Sequence, residues 1–238
     1  MEPNAFATPI LSTAITFTAE STFVQQCYDQ LQQEIMQNTL KPGEKLKVQH
    51  LMKRFGIGQG PIREALSRLS AFGLVEATEN KGFRVARISE ADITDTYNTF
   101  THIENLALEL AIKQGDHIWE GAVVAALHTL SLVEREESAE PYATWAERNY
   151  NFHVALISGC NSPLLLEIRY RLYMKFDRYC RMAFEVSNRN LPTNHTEHRE
   201  LAEAVLKKDI VLAHKINTYH INANRELIIE KLKSLKLI

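Results

Sequence analysis

The sequence has no apolar run of the about 18 residues that a membrane-spanning helix needs. Its first 20 residues contain no lysine or arginine, so the basic start of a secretion signal is missing. They are rich in Ser, Thr and Ala and show no helical periodicity. We therefore expect a cytoplasmic protein whose residues 1–20 form a flexible tail.

Cysteine is scarce. The three cysteines, Cys27, Cys160 and Cys180, are odd in number and form no C-x-x-C pair, which favours a reduced compartment. Buried, unreactive thiols are the simpler interpretation, and a redox role is the alternative. Common catalytic signatures are missing too: G-x-S-x-G, H-E-x-x-H, the P-loop and G-x-G-x-x-G do not occur.

Charge is unevenly distributed although the net charge is only −2. Residues 20–88 hold ten lysines and arginines against seven acidic residues, whereas residues 89–238 hold seventeen against twenty-one. A basic N-terminal part and an acidic C-terminal part are typical of a small DNA-binding domain attached to a body that does not contact DNA.

The periodicity of residues 21–88 predicts a winged helix-turn-helix domain. Apolar residues four apart indicate helices, and two strand-like segments surround an Asn-Lys-Gly turn. Gly56, Gly58 and Gly60 predict a tight turn that cannot be helix interior, and Pro61 suits the first turn of the next helix. The predicted elements are helices over 22–37, 48–55 and 61–72 and strands over 74–78 and 83–88.

Residues 89–238 show helical periodicity without strand signals, which predicts an all-α antiparallel bundle of about six helices. We assign effector binding and dimerisation to this domain. Ser89 and Asp92 resemble a capping box at the start of its first helix. The predicted helices cover about 89–114, 117–137, 142–158, 162–186, 194–207 and 210–234.

Candidate DNA-contacting residues follow from the helix-turn-helix pattern. Arg63 lies in the first turn of the second, recognition helix, where a guanidinium can bind O6 and N7 of guanine. Basic residues before that helix suit phosphate contacts, and the turn between the strands suits the minor groove. A solvated charged surface is the alternative. The predicted contacts are Lys47, Lys53, Arg54, Gln59, Arg63, Ser67, Arg68, Lys81 and Gly82.

These residues carry a resemblance to a known family. L-K-P-G-E-K-L at 40–46, F-G-I-G-Q-G-P-I-R-E-A-L-S-R-L at 55–69 and N-K-G-F-R-V at 80–85 resemble the GntR family of transcriptional regulators. The chain departs from the usual G-V-S-R-T-P-V-R-E-A-L at residues 58–60. Gln59 stands where many members have a DNA-contacting arginine, which implies a different operator sequence, since glutamine can pair with adenine.

The helical part resembles the FadR-type branch of that family, whose ligand domain is called FCD. The segments that carry this likeness are N-F-H-V-A-L at 151–156, H-R-E-L-A-E-A-V at 198–205 and His220. The resemblance implies a divalent metal, zinc or nickel, at Asn149, His153, His198 and His220. Asn149 is a neutral ligand where the family usually has aspartate, so a hydrogen-bonded polar pocket without metal is the alternative.

The resemblance also implies a small effector. Phe100 occupies a position where many members have an arginine that faces it, and Arg169 and Arg178 could supply positive charge for an organic acid. Surface or dimer salt bridges are the alternative for both.

Together these features predict a regulator, most simply a repressor, that binds a palindromic operator as a homodimer. A metal-dependent enzyme built on the three histidines is a competing hypothesis, and a helical scaffold whose winged helix binds protein is another. The absence of catalytic signatures and the arginine-rich recognition helix argue against these two.

Overall fold

The computed structural model describes residues 22–78, 82–134, 142–184 and 195–238, and it is mainly helical within these ranges. The N-terminal part begins with a helix, continues into a helix-turn-helix and ends in a small sheet. Its elements are α1 Phe23–Met36, β1 Lys45–Leu46, α2 Val48–Phe55, α3 Gln59–Ala71, β2 Val75–Thr78 and β3 Gly82–Val85. The predicted tail over residues 1–20 lies outside the described residues.

The core of this part is built from one face of each helix. Leu31 and Ile35, four residues apart on α1, are fully buried, as are Ile62 and Leu66 on α3. This spacing places each pair on one side of its helix, so the opposite side is left for polar residues. Met174, on a later helix, belongs to the same apolar cluster.

The sheet is antiparallel with strand order β1-β3-β2. Val75 pairs with Val85 in the predicted hairpin, and Leu46 pairs with Phe83 at the edge. The two-strand expectation missed β1, because a strand of two residues has no periodicity to recognise.

The turn between α2 and α3 depends on one glycine. Gly56 has φ 67° and its backbone N–H donates to the Met52 carbonyl, which ends α2 in a left-handed conformation that favours glycine. Gly58 and Gly60 do not need positive φ. Helix α3 begins at Gln59, two residues before the predicted start at residue 61, because its first turn tolerates Gly60.

Seven helices follow within the described residues. They are α4 Glu90–Gln114, α5 His117–Ser131, α6 Tyr142–Ser158, α7 Pro163–Phe184, α8 His195–Leu206, α9 Ile210–Asn222 and α10 Arg225–Ser234. None of the helices in the described ranges has a stretch that is long and apolar enough to cross a membrane.

The chain packs as two units. One unit contains the elements α1 to β3, α4 up to Glu104, α7 and α10. The other contains α4 from Asn105 onwards, α5, α6, α8 and α9 up to His220. The expected sequence boundary near residue 88 stays a prediction.

A single helix over residues 210–234 was predicted, and this was wrong. The chain turns at Ala223 and Asn224, where α9 ends and α10 begins. The Asn222 side-chain amide donates to the Thr101 hydroxyl at 3.2 Å, and its Oδ1 accepts from the Arg225 guanidinium at 3.3 Å. These side-chain bonds stabilise the turn, because asparagine competes well with helical backbone bonds.

The capping box at the start of α4 is half formed. The Ser89 hydroxyl accepts from the Asp92 N–H at 3.1 Å, as expected. The Asp92 carboxylate instead accepts from Lys175 at 2.7 Å and from the Tyr179 hydroxyl. Asp92 therefore joins α4 to α7.

Candidate DNA interface and candidate metal centre

The outer face of α3 is the candidate DNA interface. Its polar residues are exposed, and a surface groove of about 540 Å³ lies between them and α2. Among the groove-lining residues are four of the predicted contacts: Lys47, Lys53, Gln59 and Arg63. His50, which the sequence analysis did not single out, also lines the groove. An exposed imidazole on a short helix gave no signal in the sequence.

The predicted contacts differ in how freely their side chains can move. The Arg63 side chain forms no hydrogen bond or ion pair with any described residue, so its guanidinium can turn towards a base edge. Arg54 instead forms a two-pronged ion pair with Glu34, one arm of which is 2.8 Å long. Arg68 donates to the Gln25 side chain at 3.0 Å and lies over the Tyr28 ring.

Two predicted contacts, Lys81 and Gly82, follow β2 in the sequence. Lys81 is outside the described residues, and Gly82 begins β3 with φ 81°. Ser67 lies on the exposed face of α3. The structure thus places Arg63 and Lys53 in the open and ties Arg54 and Arg68 to their neighbours.

Three helices bring the predicted histidines together. His153 comes from α6, His198 from α8 and His220 from α9, and one ring nitrogen of each lies within 4.8 Å of the others. The Nε2 atoms of His153 and His220 are 3.2 Å apart. The edge of the Phe152 ring packs against His153 and His198, which limits how these rings can rotate.

Two carboxylates hold the histidine rings from behind. Glu134 Oε1 lies 2.9 Å from His198 Nδ1, and Glu197 Oε2 lies 2.7 Å from His220 Nδ1. A carboxylate partner places the ring proton on Nδ1, so each Nε2 carries a lone pair. Carboxylates in this position are typical of metal-binding histidines.

Neither carboxylate was predicted from the sequence. Glu197 directly precedes His198, and this adjacency could have drawn attention to it. Glu134 follows α5 by a turn and lies 64 residues before its histidine, so no sequence spacing connects the two. Trp145 also donates to Glu134 Oε1, at 3.3 Å.

The cluster contains polar atoms without partners among the described residues. His198 Nε2 and the Asn149 side-chain oxygen are buried and form no hydrogen bond there. Burial lowers the pKa of His198, and its neutral form therefore persists at neutral pH. The hydrogen bond from His220 lowers the pKa of Glu197, which keeps that carboxylate charged.

The donor set therefore suits a cation. One proton can be shared between His153 and His220, but it leaves the lone pair of His198 unmatched. A divalent ion accepts several imidazole lone pairs at once, and imidazole nitrogens suit zinc and nickel. Asn149 lies one helical turn before His153, which places its oxygen on the same face of α6.

The two expected effector arginines, both on α7, have different surroundings. Arg169 is buried and donates to both carboxylate oxygens of Glu104, at 2.7 and 3.2 Å. Its guanidinium also lies over the Phe100 ring. Arg178 is buried too, but its Nε and Nη2 have no partner among the described residues.

The cysteines form no disulfide in the described structure. Burial raises the pKa of Cys27 to about 11 and that of Cys180 to about 12. Thiols in such surroundings are poor nucleophiles, which supports the interpretation of unreactive cysteines.

Comparison with known families matches both parts of the chain. Residues 23–85 match the family described as "Bacterial regulatory proteins, gntR family". Residues 95–223, more than half of the chain, match the FCD domain. The first match covers α1 to β3, and the second includes all three histidines.

Curated relatives agree. The chain is 35% identical to the HTH-type transcriptional repressor GlaR of Escherichia coli K12 over 198 residues, which cover 82% of this chain and 90% of the relative. It is 31% identical to the HTH-type transcriptional regulator BphR of Paraburkholderia xenovorans LB400 over 204 residues, which cover 84% and 83%.

Solved structures share the fold. Escherichia coli McbR/YncC superposes with a TM-score of 0.69 at 18% identity, covering 89% of this chain and 99% of that one. A GntR regulator from Rhodococcus sp. RHA1 superposes with a TM-score of 0.67 at 19% identity, covering 88% and 99%. The relatives are regulators rather than enzymes, so the enzyme hypothesis is not supported. The chain belongs to the GntR family of bacterial transcriptional regulators and carries a C-terminal FCD domain.

Proposed function

We propose that this regulator is a repressor that binds a palindromic operator as a homodimer and is controlled by a small organic acid at a metal centre in its FCD domain. The observation that carries the proposal is the histidine cluster, in which Glu134 and Glu197 hold His198 and His220 from behind. The name of the GlaR relative supports a repressor.

The DNA part of the proposal follows from the size of α3. One recognition helix reads only a few base pairs, and two copies on a symmetric site double the contacts. The first arginine of α3, Arg63, provides base contacts in each half-site, while Lys47 and Lys53 bind phosphates. Gln59 at the start of the helix favours adenine at a neighbouring position.

The metal part follows from the donors. Nε2 of His153, His198 and His220, with the Asn149 oxygen, would hold zinc or nickel. When bound, the ion supplies a positive site that accepts a carboxylate oxygen. All four proposed ligands are neutral, so the ion keeps its full double charge. An anionic effector would thus be bound more strongly than at a site with an aspartate ligand.

Of the two arginines that were expected to bind an organic acid, Arg169 is the less suitable. Glu104 already neutralises Arg169, so binding an effector there requires that this ion pair open. Arg178 has two buried nitrogens, Nε and Nη2, without a hydrogen-bond partner among the described residues.

The test starts from operator selection. Sequences that bind the full-length protein are selected from a pool of random DNA duplexes. The affinity of the selected sequences is then measured by gel shift at two salt concentrations. The proposal predicts inverted half-sites and steeply weaker binding at higher salt. Selected sequences without inverted symmetry would contradict the homodimer on a palindrome.

The effector is tested on the same complex. Succinate and glutarate are titrated against zinc-loaded protein and against protein treated with a chelator. We expect the acids to release DNA from the zinc-loaded protein at much lower concentrations than from the chelator-treated protein. Equal release from both preparations would overturn the role of the metal, and failure of every short dicarboxylate to release DNA would overturn this effector class.

A further inference from the structure

Helix α7 carries two buried arginines, of which one is paired with a carboxylate and the other is not. Arg169 and Arg178 are each 2% exposed. Arg169 uses Nε and Nη2 to bind both oxygens of Glu104. This side-on, two-pronged pairing is the strongest arrangement between a guanidinium and a carboxylate. It shows, within the same helix, what a satisfied buried arginine looks like in this protein.

Arg178 presents the same edge without a partner. Its Nε and Nη2 are the two atoms that form no hydrogen bond with the described residues. Burial lowers the pKa of Arg178 to about 10, so the guanidinium is still protonated at neutral pH. An unpaired buried charge is costly, and such groups usually have a counter-ion or a function.

A cavity of about 210 Å³ lies beside Arg178. Its walls come from β2, the segment after β3, α4 and α7, which belong to one packing unit. It is smaller than the about 300–1,000 Å³ of pockets for drug-sized ligands, so its size suits a small ion or a short metabolite.

The acidic groups in the wall are already engaged. Asp92 accepts from Lys175 at 2.7 Å and from the Tyr179 hydroxyl. Glu76 Oε1 accepts from the backbone N–H of Arg87 at 2.9 Å. The carboxylates that could neutralise Arg178 therefore have other donors, and the basic side chains of Lys175 and Arg87 add positive charge to the wall.

We propose that the buried, unpartnered guanidinium of Arg178 anchors a second ligand site and binds a small oxyanion in this cavity. The ligand group is a carboxylate or a phosphate, since the oxygens of both accept charge-assisted hydrogen bonds from a guanidinium. Every residue of this site differs from those of the histidine cluster, and anion binding here requires no metal.

The position of the site gives it a regulatory consequence. A bound anion would lie next to β2 and the segment that follows β3, at residues 75–76 and 86–87, and next to α4 and α7, at Asp92 and Lys175. If operator DNA prefers one arrangement of these elements, anion and DNA affinities must change each other by the same factor.

The test measures anion binding by calorimetry on the full chain after chelator treatment, with inorganic phosphate and glutarate in separate titrations. We expect saturable one-site binding of at least one of the two, and the comparison identifies which group the site takes. Arg178→Met should weaken binding at least about tenfold, because hydrogen bonds to a charged group are lost. Arg171→Met is the matched control, since Arg171 is exposed on the same helix and pairs with Glu167.

A second measurement covers the folding of the variant. Removing an unpaired buried charge should not unfold the protein, so Arg178→Met should melt at or above the wild-type temperature without anion. The anion should raise the melting temperature of the wild type and of Arg171→Met but not of Arg178→Met. Equal stabilisation of all three would overturn the site.

An internal rearrangement is the alternative that the test must exclude. If Glu76 swings to Arg178, no anion binds and the charge is neutralised from within. Glu76→Gln removes that competitor and a repulsive charge, so our proposal predicts unchanged or tighter anion binding. Absence of binding in wild type and Glu76→Gln, up to about 10 mM of either anion, would refute the proposal. Because the protein is metal-free here, this failure is distinct from failure of the metal-dependent effector response.

Discussion

The outer face of α3 and the histidine cluster differ in the exposure of their side chains and in how these are held before a ligand binds. The Arg63 side chain is exposed and forms no hydrogen bond or ion pair with the described residues, so it is free to bind another molecule. His198 is fully buried and is positioned by Glu134 before any ligand arrives. The first region keeps its side chain free for a large polyanion, whereas the second uses rigid supports to prepare a small site.

The difference teaches where each region is sensitive. Charges on an exposed surface are screened by salt, so binding through α3 responds to ionic strength. Buried imidazoles respond to protons, because a ligand nitrogen must be neutral. The two regions can therefore be perturbed separately, by salt and by pH.

The largest expected effect is on metal binding. His198→Ala removes a proposed ligand, and we expect metal affinity to fall by more than about a hundredfold. Glu134→Gln keeps the ligands and loses only the charged support, which should cost about 10–100-fold. Zinc titration of both variants, followed by elemental analysis, measures this order. Wild-type affinity in His198→Ala would show that the cluster is a polar pocket without a metal role.

The next largest effect concerns DNA. Arg63→Ala should cost about 1–3 kcal/mol in each half-site, if the arginine reads a guanine. Arg68→Ala is the control on the same helix, since its side chain is held by Gln25 and Tyr28. Gel shifts with the selected operator should show a much smaller loss for Arg68. Equal losses would mean that base reading is not concentrated at the start of α3.

Acid should destabilise the metal-free protein. Burial lowers the pKa of His198 in the folded state, so the unfolded chain binds a proton first as the pH falls below about 6.5. The lowered pKa of Glu197 acts in the same direction at lower pH. Urea unfolding at pH 7.5, 6.5 and 5.5 should give decreasing stability, with a shallower decrease in His198→Gln. An equally steep decrease in that variant would assign the effect to other groups.

The smallest expected effect separates two neighbouring cations. Lys53 lines the open groove, whereas Arg54 pairs with Glu34. In the proposed homodimer, Lys53→Ala removes one phosphate contact in each half-site, so it should lower the slope of log affinity against log salt by about 1.8, at about 0.9 for each contact. Arg54→Ala should lower it less. A larger change for Arg54 would mean that its ion pair opens when DNA binds.

The sequence allowed the DNA-binding part to be predicted nearly element by element. Its helices are short and amphipathic, and glycine marks the end of α2 and the start of α3, so local rules decide much of this part. The errors lie where the local sequence carries no signal. Strand β1 was missed because it is too short to show alternation, and the start of α3 was placed too late because a first helical turn tolerates Gly60. At Asn222 and Ala223 a tertiary bond to Thr101 helps to break a helix that periodicity alone would continue.

The histidine cluster was predicted differently, through resemblance rather than spacing. His153, His198 and His220 lie on three helices, and no local rule brings distant side chains together. Their proximity needs the fold. The supporting Glu134 and the unpaired edge of Arg178 are tertiary facts of the same kind. A sequence shows that these residues are present but not which of them lack partners.

The bond from Trp145 to Glu134 has an optical consequence. The chain has two tryptophans. The Trp145 indole shares the carboxylate oxygen that holds His198, whereas the Trp119 indole donates to the Ala155 carbonyl at 2.9 Å. A change in charge at the histidine cluster therefore alters the surroundings of the Trp145 indole through Glu134. The fluorescence of Trp145 should then report what the cluster binds. In a Trp119→Phe variant, that emission could be followed without any added dye.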